Sequence, residues 1–236
     1  MKRNALLPII ILSIVFAGTS CEMSGAREIR NDEPLPTELK IPKTDDTRPK
    51  IIAFGDSLTA GFGLSEKESY PYLLQKKLEQ DGFDYEVVNA GVSGDTSLGG
   101  LERIDWVLGQ DNVKILILEL GANDLLRGVP VAEMRKNLDR TIAKAKAKNV
   151  DVLFCGMLAP ENMGRKYQKE YVDTFPELAT KHNVSFLPFL LEGVALDKEL
   201  NQPDGIHPNP KGTAIMTENV YRELVPMLER AAGKKK

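Results

Sequence analysis

The sequence predicts a three-layer α/β/α sandwich built on a parallel sheet. Short apolar runs alternate with helix-spaced segments from Lys50 onward, the pattern of strand–helix–strand units. The central runs are apolar throughout, as strands covered on both faces must be. At 236 residues the chain suits one such domain.

The elements follow in order. Ile51–Phe54 is a short apolar run ending at Gly55. Tyr70, Leu73, Leu74 and Leu78 have helical spacing and predict a helix over Ser69–Gln80. Glu86–Ala90 reads as a second strand, and Leu98–Leu108 as a helix through Leu101, Ile104 and Trp106. Val113–Leu120 is a nearly continuous apolar strand, followed by an amphipathic helix over Val131–Lys148. Val150–Leu158 is a fourth strand. Tyr167–His182 is expected to be a helix interrupted near Pro176, where the ring removes a hydrogen bond. Ser185–Leu190 is a fifth strand, and Pro210–Ala232 a closing helix with proline at its start. In a doubly wound sheet of this kind, function collects beyond the carboxyl ends of the strands.

The first 49 residues read differently. Met1–Asn4 is a short positive segment, and Ala5–Ala17 is an apolar stretch of about 13 residues, short of the roughly 20 needed to span a bilayer. Residues 1–20 therefore match an export signal. Gly18, Thr19 and Ser20 precede Cys21, which resembles a bacterial lipoprotein signal with Cys21 as the lipidated residue; Gly18 departs from the usual branched aliphatic residue. Plain secretion and an uncleaved anchor are the alternatives. Residues 21–49 are charged, carry Pro34, Pro36, Pro42 and Pro49, and read as a tether with an r.m.s. reach of roughly 30 Å. The folded domain is expected over 50–236, exported and membrane-anchored, otherwise secreted.

Composition narrows the function. Net charge is -3, which invites no nucleic acid, and the basic run Lys234–Lys236 reads as a solvated terminus. The two cysteines, Cys21 and Cys155, give no disulfide framework, and Cys155 falls in an apolar run as a core thiol. Two distant histidines and that cysteine lack zinc-ligand spacing.

Chemistry-bearing residues gather at the strand ends. Gly55-Asp56-Ser57-Leu58 places a serine between a strand and a glycine-containing turn, where its hydroxyl can stand above the sheet edge; the alternative is a polar turn with Ser57 capping a helix. Asp56 neighbours Ser57, but adjacent residues of a strand point to opposite faces, which argues against it as the base. Gly94, after the second strand, permits close backbone approach to a ligand, and a helix N-cap at Asp95 or Thr96 is compatible with that. Asn123, after the third, carries a neutral amide donor suited to an oxyanion hole, or is a turn asparagine. Asp204-Gly205-Ile206-His207 can bring carboxylate and imidazole together on one turn. The other histidine, His182, falls at a helix end in a solvated or capping role, so any serine mechanism leaves His207 as base.

Taken in order, these blocks resemble the SGNH (GDSL) hydrolases, in particular the bacterial thioesterase I, lysophospholipase and arylesterase group. The resemblance runs from Lys50 to Ala232 and is carried by Gly55-Asp56-Ser57-Leu58, Gly94-Asp95-Thr96-Ser97, Gly121-Ala122-Asn123-Asp124 and Asp204-Gly205-Ile206-His207. Ala122 stands where many members have glycine. The resemblance implies a flavodoxin-like fold with a five-stranded parallel sheet. It implies Ser57 as nucleophile, Asp204 and His207 as the acid–base pair, and Ser57, Gly94 and Asn123 as the oxyanion hole, with no metal or organic cofactor. Small-molecule or lipid esters and thioesters are the expected substrates, with Leu125–Pro130 and Met157–Gly164 lining the acyl pocket. A carbohydrate O-deacetylase would need an aromatic platform; aromatic content is 6% and the single Trp106 sits in a helix. A non-catalytic surface lipoprotein is the remaining reading.

Overall fold

The computed structural model describes residues 47–160 and 163–233. The export signal, Cys21, most of the tether and Lys234–Lys236 lie outside the described residues. Five strands form one parallel sheet in the order β2-β1-β3-β4-β5: β1 (Lys50–Gly55), β2 (Glu86–Gly91), β3 (Val113–Glu119), β4 (Asp151–Cys155) and β5 (Ser185–Leu187). This is the doubly wound order in which the winding direction reverses beside β1.

Helices α2 (Tyr70–Gln80) and α7 (Pro210–Ala231) pack together on one side. Helices α3 (Ser97–Val107), α5 (Val131–Ala147) and α6 (Arg165–His182) cover the other. Ile51–Phe54, Leu116–Leu118 and Leu153–Cys155 are entirely buried between these layers. Each fully buried aliphatic or aromatic side chain there is worth about 1.5–3 kcal/mol.

Two short helices, α1 (Ser57–Ala60) and α4 (Ala122–Leu126), follow β1 and β3 directly. They are too short to show a period in the sequence. Register sets their height: Gly55 is paired with Gly91 on one side and Glu119 on the other, so the three strand ends lie level. The segments carrying Ser57, Gly94 and Asn123 therefore leave the sheet side by side.

The expected interruption at Pro176 is corrected by the structure: α6 runs continuously from Arg165 to His182 with Pro176 inside it. A proline deletes one backbone hydrogen bond. The burial of Tyr171, Phe175, Leu178 and Ala179 along one face holds the helix through that gap. The fourth and fifth strands are also shorter than expected, ending at Cys155 and Leu187.

Candidate active site

Ser57 opens α1, and the cap belongs to its neighbour. Asp56 is the N-cap residue, its Oδ1 accepting the Leu58 N–H at 3.0 Å. Ser57 Oγ is thereby left for His207, whose Nε2 lies 2.9 Å away. His207 Nδ1 is 2.8 Å from Asp204 Oδ2, while Asp204 Oδ1 accepts the N–H groups of Ile206 and His207, each at 3.0 Å. Serine, histidine and aspartate form one continuous hydrogen-bonded row, the ring donating from Nδ1 and accepting at Nε2.

The histidine-bearing loop is braced from several sides. The Phe62 and His207 rings lie 4.7 Å apart between centroids. Gln202 N–H donates to His207 O at 2.7 Å, and Gln202 Nε2 donates to Phe62 O and Pro208 O. Asn209 then caps α7 by accepting from Lys211 and Gly212. Desolvation pulls the Asp204 carboxyl upward, but the Ile206 N–H, the His207 ring and the His207 N–H outweigh it and draw its pKa down to about 2.

Three candidate donors surround the serine. Among the described residues, neither the Ser57 N–H nor the Gly94 N–H is taken by an acceptor. Gly94 adopts φ 82°, a left-handed conformation that suits glycine, and Arg127 donates to its carbonyl at 2.6 Å. Asn123 sits within α4 rather than in a turn, its Nδ2 donating to Asp56 Oδ2 at 2.9 Å and Asp95 O at 3.0 Å. The N-cap of α3 is Thr96; Asp95 pairs instead with Arg103 at 2.7 Å.

Several supporting residues went unassigned in the sequence. Arg103 donates to Ala90 O and Gly55 O as well as to Asp95, tying the ends of β1 and β2 together. Asp124 accepts from the Ser97 N–H and hydroxyl, joining α4 to α3. Glu119 is fully buried beneath the serine turn, its Oε2 accepting from the Asp56 N–H at 3.1 Å and from Thr59 Oγ1 at 2.8 Å. Burial and the nearby Asp56 push the Glu119 carboxyl far above its ordinary range and hold it protonated. The turn closes over this acid only because residue 55 is glycine: a Cβ there would lie 2.2 Å from Thr59 Oγ1 and 2.3 Å from Glu119 Oε2.

The row opens on a cavity of ≈ 380 Å³ with a mostly apolar wall that includes Leu125, Leu126, Met157, Leu158 and Pro160. Phe189, Leu191 and Leu196 complete it from the segment after β5. Leu196 is 93% exposed at the mouth and has φ 67°. A branched side chain in the left-handed region costs about 1–2 kcal/mol, and little burial offsets it here. Leu196→Asn should therefore raise stability by about 0.5–1 kcal/mol, which for a domain of this size raises Tm by about 1–4 °C. A thermal melt that shows a lower Tm would mean that the leucine packs more than its exposure indicates.

An open parallel sheet carrying a serine–histidine–aspartate row at its carboxyl edge defines a serine hydrolase. The chain belongs to the GDSL-like lipase/acylhydrolase family, whose model matches residues 53–215. It is 38% identical to the esterase TesA of Pseudomonas aeruginosa over 178 residues, 75% of this chain and 89% of that protein. It is 35% identical to thioesterase 1/protease 1/lysophospholipase L1 of Escherichia coli K12 over 178 residues, 75% of this chain and 84% of that protein. Among solved structures, the esterase EstA of a Pseudoalteromonas species, inhibited by monoethylphosphonate, superimposes with a TM-score of 0.73 at 33% identity, covering 76% of this chain and 98% of that one.

Proposed function

We propose that the protein hydrolyses carboxylic esters and thioesters of apolar acyl groups through an acyl-enzyme on Ser57. The observation that carries this reading is the Asp204–His207–Ser57 row opening on an apolar cavity. His207 Nε2 takes the Ser57 proton as Oγ attacks the acyl carbonyl. The Ser57 and Gly94 N–H groups and the Asn123 amide receive the oxyanion. The protonated ring, steadied by Asp204, gives its proton to the departing alcohol or thiol. Water then enters and attacks the acyl carbon as His207 takes its proton, the acyl–Oγ bond breaks to release the acid, and the ring returns the proton to Ser57 Oγ.

The acyl group belongs in the cavity between Leu125, Met157 and Phe189. The similarity to TesA and to thioesterase 1/lysophospholipase L1 supports the same substrate class, including lysophospholipids. Each buried methylene contributes about 0.8 kcal/mol, close to fourfold in kcat/KM. With purified protein and a series of nitrophenyl esters and acyl-CoA thioesters, kcat/KM should climb by roughly that factor per methylene from acetyl until the cavity is filled. A maximum at acetyl, with acetylated sugars turned over faster than any longer ester, would replace this reading with a carbohydrate O-deacetylase.

A further inference from the structure

The serine turn contains a second carboxylate that the acyl-transfer steps leave unused. Asp56 is 1% exposed, and its side chain contacts the elements beside the nucleophile rather than Ser57 Oγ. Oδ1 caps α1 through the Leu58 N–H, and Oδ2 accepts from Asn123 Nδ2 at 2.9 Å. The other bond from that nitrogen goes to Asp95 O at 3.0 Å. A carboxamide nitrogen carries two hydrogens, so Asn123 is gripped from both sides, and the hydrogen resting on Asp95 O is the one that must turn to an oxyanion while Asp56 keeps its hold. The grips come from the segments after β1 and β2, which also carry the Ser57 and Gly94 N–H groups.

We propose that Asp56 is a positioning residue of the esterase reaction, acting on the rate through Asn123 by holding its amide nitrogen toward the oxyanion hole. This rests on the reading of Asn123 as an oxyanion donor. An asparagine side chain is nearly symmetric in shape but opposite in chemistry at its two ends. Turned over, it would present a carbonyl oxygen to a developing negative charge. A carboxylate facing Nδ2 forbids that turn, because the flipped amide would set two acceptors against each other. The bond is charge-assisted and about twice as strong as a neutral one. Asp56 is itself anchored from below, its N–H held by the protonated Glu119. Burial, opposed by the Leu58 N–H, Glu119, Asn123 and His207, raises the Asp56 pKa to about 6, so at neutral pH the group facing Asn123 is a carboxylate.

Asp56→Ser separates the two contacts of this side chain: a serine hydroxyl still caps α1 but is too short to reach Asn123. Four proteins are compared on one nitrophenyl ester, the wild type, Asp56→Ser, Asn123→Ala and the double variant. Asn123→Ala should lower kcat by about 10²–10³-fold. Asp56→Ser should lower kcat by about 10–100-fold with KM within about threefold, and by less than about threefold in the Asn123→Ala background. An equal loss in both backgrounds, or no loss in the wild-type background, overturns the inference while leaving Asn123 as a donor. Full kcat in Asn123→Ala overturns both readings together. Should Asp56→Ser fail to fold by circular dichroism, Asp56→Asn goes through the same cycle, since it keeps the shape but sets an NH₂ against either Leu58 or Asn123.

Discussion

Ser57→Ala should lower ester turnover by about 10⁴-fold or more and abolish labelling by a phosphonate probe. The size follows from what the hydroxyl supplies and what remains without it. Oγ is the atom that bonds to the acyl carbon, and His207 Nε2 at 2.9 Å is its proton acceptor. Without it, water must attack unaided, while the cavity and the N–H donors still bind and polarise the ester. A residual rate above the uncatalysed reaction is therefore expected. The fold should be indifferent to the change. The cap of α1 belongs to Asp56, and the hydrogen-bond partner of Ser57 Oγ is His207 alone among the described residues, so stability should shift by no more than about 0.5 kcal/mol. Burst kinetics, probe labelling and a thermal melt check the three parts. A variant that folds, resists the probe and keeps wild-type turnover would remove Ser57 from the mechanism.

How much of this was legible beforehand depends on which physical signal each feature leaves in a sequence. Strand interiors were plain, because burial on both faces demands unbroken apolar runs such as Ile51–Phe54. Strand ends were less so. The apolar run Val150–Leu158 overshoots β4, which stops at Cys155, and Ser185–Leu190 overshoots β5. Met157, Ala159 and Leu190 are buried without pairing in the sheet. Hydrophobicity reports burial, and these residues belong to the buried core without joining a ladder. Gly156 marks the exit: its N–H bonds Leu187 O, and a Cβ there would lie 2.3 Å from Pro188 O.

The candidate site divides along a similar line. Ser57, Asn123, Asp204 and His207 stand in short local motifs, and the structure brings all four to one edge of the sheet. The support beneath them is non-local and leaves no motif. Glu119 meets the Asp56 N–H across 63 positions of sequence, and Asn123 meets Asp56 across 67. Only the level ends of β1, β2 and β3 create these contacts, and register is invisible in a single sequence. One signal was available for Glu119: an acid near the end of the nearly continuous apolar run Val113–Leu120 must be paired or protonated once buried. The bracing by Arg103 carried no comparable mark, since an arginine on a surface helix is ordinary.

His207→Ala should lower turnover by about 10⁴-fold or more, whereas His182→Ala should leave it within about twofold. The comparison is stringent because both rings face a carboxylate. His182 Nε2 lies 2.6 Å from Asp139, which also receives Lys181, so the sequence expectation of a solvated or capping ring gives way to one hydrogen-bonded to a carboxylate between α5 and α6. An imidazole beside an acid is therefore not what distinguishes the base. The distinction lies on the far side of the ring, where His207 meets the Ser57 hydroxyl. His182→Ala removes a charge-assisted contact and should instead lower stability by about 1–3 kcal/mol, seen as a Tm fall of several degrees. The pH profile separates the members of the row as well. With its pKa drawn down to about 2, Asp204 stays ionised wherever the enzyme is folded and assayed. Loss of activity toward acid pH therefore does not come from protonation of Asp204. Asp204→Asn should accordingly lower turnover at every pH at which the enzyme is folded. Activity retained in His207→Ala and lost in His182→Ala would relocate the chemistry to the α5–α6 face, where no serine hydroxyl among the described residues meets the ring.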